Sequence, residues 1–353
     1  MKKIIFCFDG TCNDPSDSGD FFTDSSISNV LKIYALFGGK LPSAAENTST
    51  TNDQHCLYYS GVGTRGNWLR QTWNSMFAPP GADMRDILDE AKEDLKKLYQ
   101  DGDQIFIFGF SRGAAIARMF AAKHADNRPI KFLGLFDTVA ATEGSLDLKT
   151  GTLPASGIVF ENGTIGNHIE KALHLLSIDE KRIAFQPTLF NKDKRVTEIW
   201  FAGAHSDIGG GYWFDGLSDI TLQFMLDEAE NAGLKAIPAD HIDYAALADK
   251  TDEDENICLD DIAILPISNG TIHEQHRSGL AAKTLAPRLI RVNKNDLPDP
   301  NDHPLIHYTV AERFKKVPDY RPFALRNRTF RIINQIGEQS PLLRGIEGLR
   351  EYE

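Results

Sequence analysis

The sequence predicts an α/β fold, a mostly parallel sheet with helices on both faces and insertions over one end. Three short apolar runs carry that expectation: KIIFCF (3–8), QIFIFGF (104–110) and IKFLGLF (130–136). Each is rich in β-branched or aromatic residues and stops at Gly or Asp, as strands buried on both faces do. Helical patterns lie between them, and alternation of strands with helices implies a parallel sheet.

Taken in order, residues 3–8 form the first strand. Residues 40–55 are polar and predict an exposed loop. Residues 83–99 place Met84, Ile87, Leu88, Ala91, Leu95 and Leu98 at spacings of three and four, the stripe of an amphipathic helix. Residues 112–123 are apolar on nearly every side, as in a helix pressed against a sheet. A fourth strand is expected over 196–204 (VTEIWFAGA), and a helix over 219–232 behind Ser218 as N-cap. Residues 140–165 and 250–275 are weakly patterned. The expectation is one domain over 1–353, with cap or lid insertions at about 40–80, 140–195 and 235–285.

Composition sets outer limits. The chain has 353 residues, 41% hydrophobic and 25% charged, enough to bury a large core without staples. A net charge of -12 with no basic cluster argues against nucleic acid as a partner. Cys7, Cys12, Cys56 and Cys258 make no CxxC pair, which points to folding in a reducing cytosol. The run after Lys2-Lys3 is too short for a signal peptide, since Asp9 ends it. No run approaches the ~18 apolar residues of a membrane span. Synthesis in a reducing cytoplasm is therefore expected, with any export by another route.

Gly109-Phe110-Ser111-Arg112-Gly113 matches G-x-S-x-G. A strand precedes it and a small-residue helix follows, the context of a nucleophile elbow. A side chain at 109 or 113 would meet neighbouring backbone, so glycine is required at both. The bend lifts the Ser111 hydroxyl above the strand end, and the helix N-terminus aims N–H groups at the same spot. The plain alternative is a glycine-serine turn. A serine nucleophile needs a base, and the base an orienting acid. Asp137 ends the next apolar strand and His205 follows 196–204, in the order these hydrolases use. Glycines 209–211 let the His205 loop fold over the site. Alternatives stay open: Asp137 as a turn carboxylate, Asp207 as the acid, and His307 as a base paired with Asp207. His303 reads as structural.

Phe8-Asp9-Gly10-Thr11 resembles the aspartate loop of haloacid-dehalogenase phosphatases, but the nucleophile position holds Cys7 instead of Asp. The loop is expected to supply an oxyanion-hole N–H from Gly10 or Thr11, alongside that of Arg112. Asp9 either braces this loop or forms an Asx turn. No cofactor is expected. A cation among Asp9, Asp14, Asp207 and His205 is the minority reading, because their spacing fits no standard ligand pattern.

Phe8-Asp9-Gly10-Thr11-x-Asn13, Gly61-Val62-Gly63-Thr64, the G-x-S-x-G segment, Phe136-Asp137-Thr138-Val139 and Trp200 through Tyr212 occur in that order. Over about residues 3–230 they resemble the α/β-hydrolase family that includes type VI secretion phospholipase effectors. The resemblance implies an α/β-hydrolase-like fold, a Ser111-Asp137-His205 triad and hydrolysis of carboxylic esters, in some members phospholipids at a membrane surface. It also implies delivery by type VI secretion, with a secretion-apparatus or immunity protein as partner. The chain departs by Cys12, where the family has an aromatic, and by the short stretch after residue 230, which leaves little room for a membrane-docking module. A non-lipid esterase, thioesterase or peptidase, or an inactive binding module, are the competing readings. Phe21, Phe22, Trp68, Trp73, Met76, Phe77 and Trp213 are candidates for an apolar rim, and 68–80 for a lid.

Overall fold

A computed structural model describes residues 1–10, 25–40, 48–51, 53–60, 80–125, 128–139, 163–247, 257–274 and 276–352. The chain runs β1 (Lys3–Phe8), β2 (Ser25–Ser28), α1 (Asn29–Leu36), β3 (Thr48–Thr51), β4 (Gln54–Tyr59) and α2 (Pro80–Leu98). Then come β5 (Gln104–Phe110), α3 (Ser111–Met119), β6 (Ile130–Phe136), β7 (Ala172–Ser177) and β8 (Val196–Phe201). They are followed by α4 (His205–Gly209), β9 (Gly210–Tyr212), α5 (Gly216–Asn231) and α6 (Leu259–Ile262). The last part holds β10 (Asn293–Lys294), β11 (Leu297–Pro298), β12 (Leu305–His307), α7 (Tyr308–Lys316), β13 (Thr329–Ile333), β14 (Leu343–Arg344) and α8 (Gly345–Glu351).

Ten strands make one sheet in the order β14-β13-β12-β8-β7-β6-β5-β1-β4-β3. Every pairing is parallel except the two outermost, β3 with β4 and β13 with β14. The architecture is the expected α/β-hydrolase-like one. Period-two alternation assigns the two faces. In β1, Ile4, Phe6 and Phe8 enter a core built with α2 and α3, while Ile5 and Cys7 enter another built with α1 and α5. The whole expected stripe of α2, from Met84 to Leu98, packs on the first of these cores. Helix α3 continues as a π-helical turn over Phe120–His124, closed by the Ala125 N–H on the Phe120 carbonyl.

The structure departs from the sequence reading in several places. The stretch 140–195 is not all insertion, because β7 lies in it at the middle of the sheet. Likewise 40–80 contains β3 and β4. Helix α5 starts at Gly216 with Asp215 as N-cap, not Ser218, whose hydroxyl instead donates to the Asp215 carbonyl at 3.0 Å. The segment carrying His205 is a helical turn, not a glycine loop. Among the described residues no helix is long and apolar enough to cross a membrane.

Candidate active site

The ends of β1, β5, β6 and β8 meet at the carboxyl edge of the sheet, where open α/β folds place their sites. There β5 runs directly into α3, and Ser111 sits at the junction with φ 55°. That is a left-handed backbone in a non-glycine residue, a strained conformation of the kind a nucleophile elbow requires. The flanking glycines are sterically forced. A Cβ on Gly113 would lie 2.3 Å from the Phe8 and Asp9 carbonyl oxygens, and one on Gly109 would lie 2.7 Å from the Ala114 Cα. Helix α3 is thus driven against the end of β1, and Ser111 is buried there at 4% exposure.

Asp137 follows β6, also at positive φ (38°), and is fully buried. Its Oδ2 accepts the His205 Nδ1 proton at 2.6 Å. The pairing with Asp137 makes Nδ1 the protonated nitrogen and Nε2 the basic one. Nε2 is buried with no hydrogen-bond partner among the described residues, so the Ser111 hydroxyl does not bond to it in this state. Burial pushes the His205 imidazole below its ordinary value, and the Asp137 contact only partly offsets this. Burial also disfavours the Asp137 carboxylate, but the Arg288 guanidinium and His205 outweigh it and hold the carboxyl well below its usual range.

Phe110 is the shim of the site. Its ring lies 4.7 Å from the His205 ring. A Cβ on Gly209 would sit 2.1 Å from the same ring, and one on Gly10 would sit 2.8 Å from it and 3.2 Å from the Ser111 Cβ. Those two glycines let the β1 turn and α4 close around Phe110. Phe185 meets His205 edge-on at 5.0 Å.

The rival assignments go elsewhere. Asp207 accepts the Ala204 N–H at 2.8 Å as a helix cap, and its other oxygen pairs with His273 Nδ1 at 2.6 Å. His307 is not its partner: its Nδ1 pairs with the Thr309 hydroxyl at 2.8 Å and its ring stacks on Phe201. Burial pushes His307 down to about 3. At the opening loop, Asp9 is buried and accepts from the Ser28 hydroxyl (2.6 Å), the Tyr58 hydroxyl (2.5 Å) and the Gly10 N–H (2.7 Å). The Gly10 amide thus donates to Asp9 in this state. Thr11 and Asp14 lie outside the described residues, as do Phe21, Phe22, Trp68, Trp73, Met76, Phe77 and the lid stretch up to Pro80. Trp213 is 46% exposed. Among the described residues no three His, Cys, Asp or Glu side chains gather as a metal site.

Sequence reasoning missed Arg288, Glu180, Arg182, Phe185 and His273. All come from segments with no regular period, so nothing in their spacing points at the strand ends they reach.

The model of the catalytic domain of type VI secretion (T6SS) Tle1-like phospholipase effectors matches residues 2–123 and 120–228. The uncharacterised yeast protein YEL023C (Saccharomyces cerevisiae strain ATCC 204508 / S288c) is 33% identical over 133 residues, 34% of this chain and 17% of that protein. The chain therefore spans less than a fifth of that relative. A crystal structure of an uncharacterised Pseudomonas aeruginosa protein aligns with TM-score 0.40 and 21% identity, over 67% of this chain and 46% of that one. A Tle1 effector bound to the VgrG spike of the type 6 secretion system aligns with TM-score 0.38 and 24% identity, over 60% and 51%. With most of its length, and every strand-end residue described above except those after residue 228, inside the matched model, the chain belongs to the T6SS Tle1-like phospholipase effector family, in its catalytic domain.

Proposed function

We propose that this chain is a serine esterase of phospholipase A type, working through Ser111, His205 and Asp137 and an acyl-enzyme. The observation that carries the proposal is the buried Asp137–His205 pair at 2.6 Å, with the imidazole Nε2 unpartnered at the same sheet edge as a strained serine. In unliganded sites the nucleophile-to-base contact is commonly loose and tightens with substrate.

In the proposed cycle His205 Nε2 takes the Ser111 proton and the oxygen attacks an ester carbonyl. Asp137 holds the tautomer and stabilises the imidazolium. The Arg112 N–H, in the first turn of α3, meets the oxyanion, a donor of the kind worth roughly 3 kcal/mol of barrier. His205 then protonates the leaving alcohol, and water, deprotonated by His205, releases the acid. Family membership supports a phospholipid as the ester and type VI secretion as the delivery route.

The test is mass-spectrometric product analysis with mixed-chain phospholipids, comparing wild type with Ser111→Ala. Release of one fatty acid by wild type alone is expected. Intact phospholipid in both samples, with a short-chain ester cleaved by wild type, would leave a non-lipid esterase.

A further inference from the structure

The geometry points to Arg288 as a positioning residue for His205, acting through the Asp137 carboxylate. This rests on reading Ser111, His205 and Asp137 as the triad. The Arg288 side chain is fully buried and forks onto that carboxylate, Nη1 to Oδ1 at 3.0 Å and Nη2 to Oδ2 at 2.7 Å. Oδ2 is also the atom that accepts from His205. The Ser177 N–H reaches Oδ1 at 3.1 Å, so four donors converge on one carboxylate.

The guanidinium is delivered by design of the backbone around it. Residue 285 bridges to 182, the Ala286 N–H reaches the Lys181 carbonyl at 2.7 Å, and the Leu289 N–H reaches Gln186 Oε1 at 3.3 Å. Gln186 in turn donates to the Pro287 carbonyl at 3.4 Å. The same 180–186 segment grips His205 from its other side. Glu180 accepts the His205 N–H at 3.3 Å and a forked pair from Arg182, whose guanidinium lies 3.6 Å over the Phe185 ring. One segment therefore holds both the His205 backbone and the stretch that brings Arg288.

The charges facing His205 are Asp137 from the end of β6, Glu180 and Arg182 from the segment after β7, and Arg288 from 285–292. Two are negative and two positive, so the cluster is balanced with the ring neutral. A proton on His205 leaves one uncompensated positive charge in a buried site. Arg288 draws part of the Asp137 charge that would otherwise stabilise the imidazolium. The ring then stays a neutral base to lower pH, and as imidazolium it gives its proton more readily to the leaving alcohol.

The experiment pairs kinetics with a readout that needs no turnover. The pH profile of kcat/KM is measured for wild type, Arg288→Lys and Arg288→Met, and His205 ring resonances are titrated in Ser111→Ala with and without each change. In Arg288→Met the acid limb and the His205 midpoint should both rise by about one pH unit or more, with KM within about twofold. Arg288→Lys, which keeps the charge but loses the fork, should fall between. An acid limb and a midpoint unmoved in either folded variant would overturn the assignment. If neither folds, the same titration is made in Arg288→Gln, where a His205 midpoint raised by about one unit supports the assignment and an unmoved one overturns it. A wild type that cleaves no ester and does not react at Ser111 would sink the triad reading instead, while the titration still decides the part of Arg288.

Discussion

Replacing Asp137 by Asn keeps the shape of the side chain and removes its charge, and the structure dictates what that does. The carboxylate is fully buried and receives four N–H donors: two from Arg288, one from His205 and one from Ser177. An amide offers one acceptor oxygen, so its NH2 meets a guanidinium N–H whichever way it turns, together with either the imidazole or the Ser177 N–H. Either way the Arg288 charge is buried without a counter-charge. Breaking a buried pair from one side costs about 3–5 kcal/mol. Arg288→Met should cost a similar amount by stranding the carboxylate. The double variant strands neither charge, so it should be no less stable than the worse single, a coupling of about 3 kcal/mol. Urea unfolding followed by circular dichroism reads all three. There is also a pH signature. The carboxyl is held below its unfolded value of 3.8, so its contribution is present above about pH 4 and lost as the pH falls further. Asp137→Asn should flatten that acid loss. A single variant within about 0.5 kcal/mol of wild type, or a double variant equal to the sum of the singles, would refute the reasoning.

Other outcomes follow from the same contacts. Gly113→Ala forces a methyl to 2.3 Å from two backbone carbonyl oxygens, so it should destabilise by about 2 kcal/mol or more in thermal unfolding and lower ester hydrolysis with it. Asp207→Ala removes the cap on Ala204 and the partner of His273. It should lower stability by about 1–2 kcal/mol while leaving far more activity than His205→Ala, and parity between the two in an ester assay would restore Asp207 as the acid. His307 is buried neutral with its proton affinity pushed down to about 3, so the unfolded chain binds more protons than the native one between that pH and its unfolded 6.5. Stability should fall through that window on acidification, and less steeply in His307→Gln by denaturant titration. Because His205 is lowered below 6.5, kcat/KM should be level from about pH 7 to 8 and decline only on the acid side.

How far the sequence reveals this arrangement depends on whether a feature is local. Residues 3–8, 104–110 and 130–136 declare themselves as strands because both faces are buried and all but Lys3, Gln104 and Lys131 are apolar or glycine. The tight turn is legible because Gly109 and Gly113 answer to backbone four to five residues away or to the end of the neighbouring strand, and no larger residue fits. His205 and Asp137 are legible by their place after strands. β7 is not, because His174 interrupts its apolar run. That ring accepts from the Thr138 N–H at 3.1 Å and pairs with Glu198 at 2.8 Å, a pairing unreadable before the neighbouring strands are known. β3 and the start of β4 read as polar loop because their residues are Thr, Ser, Gln and His, and the side-chain NH2 of the buried Gln54 is satisfied by the distant Phe37 and Lys235 carbonyls. The sequence does not show that the Ser28 and Tyr58 hydroxyls bond the buried Asp9, which also takes the Gly10 N–H. Arg288 reaches Asp137 across 151 residues, and no periodic signal spans such a gap.

The most direct measurement is intact-protein and peptide mass spectrometry after incubation with a fluorophosphonate. One adduct per chain on the Ser111 peptide of wild type, sharply slowed in His205→Ala and absent in Ser111→Ala, is the predicted result. An unmodified Ser111, or an equal labelling rate in His205→Ala, would contradict a serine activated by that imidazole.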